Sequence, residues 1–450
     1  MLEKEDVLDK IIANAQKYEY AEVRMEKSTQ NSVRIFDSEI DATSGSTYGI
    51  SVRILKNGSW GFASTNKNEG IDELLKKAER LAGLTKGNVK LARLKLRSAK
   101  VNAKSKDPME MQIDEKVKLL NDAKKHMCTP GIKNRIKNRI LSLSDEFSET
   151  QFLNSEGIEI IQQQCYVYLS CTAVAKKAGL IQKGSERCAR VDGYKKITLH
   201  DCAEESAKKA ERLLDAEAPP AGRFDAVLDQ EMTGVFSHEA LGHATEADSV
   251  VQRESILRGK IGKRIGSKLV NIVDDPTEND FGNYAFDDEG VEARRVVLVK
   301  NGVLASYLNS RETCNEVNTK PNGHARAENY SHVPIVRMGN TFFQKGKSSK
   351  EDIFDIKNGI YLKGMKGGSV DIFSGGFMFK AEEAHEIKNG EIGKIFRDTA
   401  ISGNILETLK NVEAVGKDFG TSPGFCGKFG QSVPVSDGGP HIRVKDVKIG

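Results

Sequence analysis

Cysteine is scarce and poorly placed for cross-linking: there are seven, an odd number at irregular spacing with no CxxC pair. This excludes a disulfide framework and suits a reducing compartment. Excess charge of one sign is missing too. With 68 basic against 64 acidic side chains interspersed along the chain, the formal charge of +4 makes no nucleic-acid footprint. No run approaches the roughly 18 to 20 apolar residues of a membrane span, and the opening MLEKEDVLDK has acidic residues where a signal peptide needs a basic and then an apolar stretch. The expected protein is cytoplasmic, with no membrane and no nucleic-acid partner. Only 10 prolines argue against long disordered linkers.

With 38% hydrophobic and 29% charged residues, the 450-residue chain has a globular composition. At about 150 residues per domain it should form two or three domains. Residues 1–90 read as a small α/β unit: a helix over 6–17, strands over 21–28 and 46–55, an Asn57-Gly58 hairpin, and a helix over 71–84 whose Leu74, Leu75, Ala78, Leu81 and Ala82 recur at helical spacing. The polar, basic stretch 91–106 reads as a solvated linker. A central α/β unit over 107–215 should contain a helix at 109–127, strands over 140–175 turning at 154–157, and a helix at 202–214. The last unit, 223–450, opens with a strand at 223–228 and a helical segment, after which β patterning dominates. Its Asn301-Gly302, Asn358-Gly359, Asn389-Gly390 and Asp437-Gly438 pairs read as hairpin turns. The predicted fold class is α+β: N-terminal α/β units, then a large β-rich C-terminal domain that carries the metal-binding helix.

The chemistry concentrates in the segment EMTGVFSHEALGHATEAD, which holds His238-Glu239-Ala240-Leu241-Gly242-His243, an HExxxH pattern one residue longer than the HExxH of zincins. Five steps of about 100° leave the two imidazoles roughly 140° apart on an ideal helix. A shared ligand face therefore requires an i to i+5 π-turn, or a helix that distorts or ends at Gly242. Catalytic zinc takes three protein ligands and leaves a fourth position for water. Cys426, among glycines in TSPGFCGKFG, offers a soft thiolate, although spacing cannot establish a ligand so far along the chain and lone cysteines usually pack. Glu239 is the residue type for a general base on a metal-activated water. The competing reading of HEALGH is an amphipathic helix end with satisfied histidines.

Several separate motifs resemble the TldD/PmbA (modulator of DNA gyrase) family across nearly the whole chain: HEALGH, the block from Asp287-Asp-Glu-Gly290 through Asn301-Gly302, Arg337-Met-Gly-Asn-Thr341, Gly367-Gly-Ser-Val-Asp-Ile372, and Cys426-Gly-Lys-Phe-Gly-Gln-Ser-Val-Pro-Val435. The resemblance implies a zinc metallopeptidase of the metal-binding TldD branch, with His238, His243 and Cys426 as ligands and Glu239 as catalytic base. It also implies cleavage of unfolded peptides and assembly as a homodimer or as a heterodimer with a TldE/PmbA-type paralogue. Ala244 stands where many relatives have glycine. The alternative function is a non-catalytic peptide-binding or regulatory subunit, which would lack the ligands present here. His324, His332 and His385, the Asp287 to Glu289 run, and Arg337 with Asn340 are further polar candidates, read more simply as turn or structural residues. The glycine pairs Gly367-Gly368 and Gly375-Gly376 lack the strand and helix context of a nucleotide site.

Overall fold

A computed structural model describes residues 17–67, 70–95, 98–127, 135–195 and 197–450. The helix expected over 6–17 lies outside this range except for its last residue.

The N-terminal half is built on one seven-stranded sheet: β1 (Tyr20–Phe36), β2 (Glu39–Lys56), β3 (Ser59–Thr65), β4 (Ser98–Val101), β5 (Ile136–Asn154), β6 (Glu159–Lys177) and β7 (Leu180–Arg190) run in the order β3-β2-β1-β5-β6-β4, with β7 also on β6. β1 pairs β5 antiparallel from Glu22 opposite Asn154 to Phe36 opposite Ile140. Odd-numbered β1 residues therefore point to one face, and helices cover that face. Ala21, Val23 and Met25 pack on α1 (Ile71–Ala82), whereas Val33 and Ile35 share a core with α3 (Ile113–His126) and α4 (Leu199–Leu214), a short α2 (Asp107–Glu110) preceding α3. The stretch read as a solvated linker is not one throughout. Its Ser98–Val101 segment forms β4, parallel to β6, because Ala99 and Val101 pack on Phe152, Ile158 and Ile160.

One charged pair is fully enclosed under α3. Lys116 Nζ lies 2.7 Å from Asp145 Oδ2, both side chains at 0% exposure, and the Asn31 amide donates to the other carboxylate oxygen at 2.7 Å. The sheet's other face meets the C-terminal domain through aromatic contacts, Tyr166 and Tyr168 on Phe281, and through charge. Arg24 pairs Asp288 at 2.8 Å, and Arg53 bridges Glu22 at 2.7 Å and Glu289 at 2.9 Å.

The C-terminal domain holds β8 (Gly222–Leu228), β9 (Ile272–Asp274), β10 (Val296–Lys300), β11 (Val303–Leu304), β12 (Ala325–Arg326), β13 (Ile335–Val336), β14 (Asn340–Phe343), β15 (Asn358–Asp371), β16 (Gly376–Lys388), β17 (Glu391–Phe396), β18 (Ala400–Asn404), β19 (Val412–Val415), β20 (Gly420–Lys428), β21 (Gln431–Gly439) and β22 (Ile442–Ile449). Strands β15-β8-β22-β18-β16 close on themselves through β15–β16 pairing, and a separate six-stranded sheet runs β11-β10-β9-β14-β21-β20. The architecture is the expected α+β with a β-rich C-terminal region.

Asn57-Gly58, Asn301-Gly302 and Asn389-Gly390 are hairpin turns with positive φ at both residues. Asn358-Gly359 and Asp437-Gly438 are not. The first opens β15 opposite Lys388 and Ile387, and the second lies inside β21, which is paired on both sides. Gly438 is small for packing reasons, since a Cβ there would meet the Gly420 carbonyl oxygen at 2.5 Å.

Lys116→Met should destabilise the protein by about 3–5 kcal/mol, because it strands a buried carboxylate. Urea unfolding followed on the N-terminal half checks this, and Lys116→Met/Asp145→Leu should recover most of the loss.

Candidate metal centre

Asp229 starts the element that positions the site. Its carboxylate caps α5 (Gln230–Val235) by accepting from Met232 N at 2.8 Å and ties the helix to β15 by accepting from Gly364 N at 2.9 Å. Burial pushes this carboxyl up to about 7. Beyond Val235 the helix widens into a π-turn over Phe236–Gly242, and the His243 N–H donates to the His238 carbonyl five residues back. That bond is the direct consequence of the HExxxH spacing: the two ligand candidates share a face because the backbone takes one more residue per turn. Gly242 contributes through size rather than conformation. Its φ of −52° is ordinary, but a Cβ would lie 2.0 Å from Met338 Sδ.

His238 and His243 face each other with ring centroids 5.2 Å apart and planes at 90°. Cys426, buried near the end of β20, places Sγ 3.5 Å from His243 Nε2, and the ligand atoms of all three residues lie within 4.8 Å of one another. One nitrogen and one sulfur on a tetrahedral zinc ion sit about 3.5 Å apart. The donor set, two imidazoles and a thiol, therefore fits a borderline-soft divalent ion in chemistry and in span. Glu239, at 39% side-chain exposure, holds Oε2 3.8 Å from His243 Nε2.

Without a metal the three groups charge one another. Burial alone would raise the Cys426 thiol, but the two imidazoles hold it well below the usual thiol range. Burial would likewise lower His238, yet the Cys426 thiolate raises it to about 9. For His243 burial again works downward and is outweighed by Glu246 and Cys426.

Sequence reasoning named Arg337 as a candidate but missed the other residues that hold these candidate ligands. Glu246, almost wholly buried, accepts from His243 Nδ1 at 3.1 Å and fixes the ring with Nε2 toward Cys426. Lys428, two residues after Cys426, donates to Glu246 at 2.9 Å, to Asp248 at 2.7 Å and to the Val336 carbonyl at 3.0 Å, so it ties the Cys426 strand to the histidine helix. Burial opposes ionisation of Glu246, but His243 and Lys428 hold it at about 2. Arg337, fully buried, donates to the carbonyl oxygens of Cys426 and Gln431. Asp437 lies close enough to interact with the His238 charge, and burial pushes it up to about 7. The i to i+3 spacing of His243 and Glu246 was a usable signal; the others come from distant strands.

The remaining candidates are structural. His324 is spanned by Asn322 and Asp274 at 2.9 Å on each side, and His332 accepts or donates within its own turn to Asn329. His385 sits beside Glu383 and Tyr361. Asp287 caps a turn by accepting from Glu289, Val291 and Ala325 N–H groups, and Asn340 bridges Gly282 and Asp275.

Gly242→Ala should disrupt metal binding and cost about 1–3 kcal/mol through overpacking on Met338, with Met338→Ala in the same chain restoring both. Zinc stoichiometry and thermal midpoint report the two effects. Zinc affinity of the metal-stripped protein should rise with pH as His238 and His243, both held above the usual imidazole range, lose their protons. Each proton displaced steepens the dependence by about tenfold per pH unit, which calorimetry at several pH values measures.

Comparison with known proteins assigns the chain. Family models described as PmbA/TldA metallopeptidase domain 1, central domain and C-terminal domain match residues 21–82, 106–214 and 221–450. A metalloprotease of Methanothermobacter thermautotrophicus is 42% identical, over 99% of this chain and 98% of its own length. A zinc metalloprotease TldD homologue of Saccharolobus solfataricus is 33% identical over 96% of each chain. The crystal structure of TldE from Thermococcus kodakarensis shares the fold, with a TM-score of 0.79 at 22% identity, covering 99% of this chain and 100% of that one. A π-turn that gathers two histidines and a cysteine thus sits in a chain that belongs to the TldD/PmbA family of metallopeptidases.

Proposed function

We propose that this metalloprotease is a zinc peptidase that hydrolyses unfolded or extended peptides in the cytoplasm, with His238, His243 and Cys426 as metal ligands and Glu239 as general base. The observation that carries the reading is the π-turn, which sets both imidazoles and Cys426 Sγ within 4.8 Å while leaving the adjacent Glu239 carboxylate partly open to solvent. Zinc bound there would lower the pKa of a water toward about 7 and polarise the scissile carbonyl. Glu239 would take the proton from the attacking water and pass it to the leaving amine. No side chain forms a covalent intermediate in this scheme.

Two features support an extended substrate. Cys426 lies on β20, the edge strand of its sheet, so a peptide can add alongside it through main-chain hydrogen bonds with little side-chain selectivity. A cavity of about 710 Å³ adjoins the other end of that strand, lined by Thr421, Ser422 and Pro423 together with Gln230 and Glu231 of α5. Assembly with a second copy or with a TldE/PmbA-type paralogue belongs to the same reading and rests on the chain's membership of the family. Among the described residues no helix is long and apolar enough to cross a membrane.

Glu239→Gln should keep its zinc while kcat/KM for an unstructured peptide falls about 10²- to 10⁴-fold. Undiminished cleavage by a zinc-loaded Glu239→Gln protein would remove Glu239 from the mechanism.

A further inference from the structure

A second group of metal-ligating side chains lies on the helical layer of the N-terminal half, away from the HExxxH helix. Asp122 and His126 stand one turn apart near the end of α3; His200 and Glu204 stand one turn apart at the start of α4. Each pair has i, i+4 spacing, which puts its two members on one helix face. The helices are held side by side by Leu120, Ala123, Leu199 and Ala203 in a common core, so the two faces meet on rigid elements. The ligand atoms of Asp122, His126 and His200 lie within 4.8 Å of one another. His200 Nε2 is 3.0 Å from Asp122 Oδ2, and the two imidazoles stack at 4.2 Å with planes 15° apart. Glu204 is near enough to His126 for the imidazole to contribute to lowering its carboxyl pKa.

Stacked imidazoles flanked by two carboxylates gather nitrogen and oxygen donors for a cation on one patch. Lysines now supply the positive charge: Lys125 lies 3.0 Å from Asp122 Oδ1, and Lys208 lies 2.6 Å from Glu204. Both lysines are exposed at the surface and can swing aside, leaving the two carboxylates free to join the two imidazoles around one ion.

We propose that Asp122, His126 and His200, with Glu204 as a fourth donor, form a second binding site for a first-row divalent ion such as zinc, which staples α3 to α4. The two imidazoles select against magnesium and calcium, which take oxygen donors, and the absence of a thiolate separates this site chemically from the one at Cys426. Its exposed position makes it weaker than the buried centre and structural in effect, because it joins two helices without facing the HExxxH turn.

The test uses the metal-stripped full chain titrated with zinc. Wild type should take up two equivalents, His126→Ala/His200→Ala one, and Cys426→Ala one, with circular dichroism confirming that the variants keep their helices. In a Cys426→Ser background, zinc should raise the thermal midpoint, and adding His126→Ala/His200→Ala should abolish the rise. Cobalt separates the sites: thiolate charge-transfer absorption should saturate at one equivalent, while a second equivalent adds weaker bands that vanish in His126→Ala/His200→Ala. A single zinc equivalent in wild type, or a second equivalent that survives loss of both histidines, overturns the proposal.

Discussion

The hydrogen bond from the His243 N–H to the His238 carbonyl is the constraint around which the site is arranged. An α-helix would splay these side chains, and a π-turn costs backbone regularity unless tertiary packing holds it. The packing is supplied from both sides. Phe236, Ala240, Leu241 and Ala244 enter the same core as Val433, Val435, Phe343 and Phe377, so the widened turn is wedged between the closed barrel and the six-stranded sheet. Met338 presses on the one position where a side chain is absent, and Asp229 anchors the helix start to β15. Lengthening the motif by a residue is thereby turned into a shared ligand face.

The second constraint is electrostatic. Three buried titratable groups at the ligand positions would be expensive to enclose singly, since a buried charge is tolerated only when paired. The chain meets this with alternating signs: Cys426 beside His238 and His243, His243 on Glu246, and Glu246 with Asp248 on Lys428. The same sequence of contacts fixes geometry, because Lys428 follows Cys426 closely on β20 and reaches the segment that follows the histidines. Arg337 holds the Cys426 main chain from another direction. Ligand orientation and charge balance are therefore set by one connected network, which spans residues more than 180 positions apart in sequence.

How much of this was legible follows from where each interaction is encoded. HEALGH carries its own geometry problem, so the need for either a π-turn or a helix that distorts or ends at Gly242 could be argued from five-residue spacing alone. The Asn-Gly turns were readable at 57, 301 and 389 because asparagine and glycine are the residues that tolerate positive φ in succession. The same turn is made at Ala178-Gly179 and at Phe429-Gly430, where only the glycine gives a hint, and Asn358-Gly359 and Asp437-Gly438 show the dipeptide serving strand packing instead. Segment 98–101 looked like a linker because its few apolar residues become meaningful only beside Phe152 and Ile160. The roles of Glu246, Lys428, Arg337 and Asp437 were invisible for the same reason: they exist only once β20 and β21 lie on the helix. Cys426 was singled out by its glycine-rich surroundings and its motif, whereas its nearness to the histidines exists only in the fold.

The edge strand that carries Cys426 is also packed by the N-terminal half. Pro423 lies within β20 opposite Ser436 and has no N–H to donate, and Phe429 closes the β20–β21 turn with a φ of 49° that a large side chain seldom adopts. Tyr168 of β6 packs on Phe425 at 5.2 Å, with Phe281 against both, so the N-terminal sheet lies over the strand that carries the thiol. Arg187 of β7 reaches Glu231 on the helix that carries the histidines. Both ligand-bearing elements are thus fastened to the same N-terminal sheet. The N-terminal half therefore contacts both elements that bring the three candidate donors together.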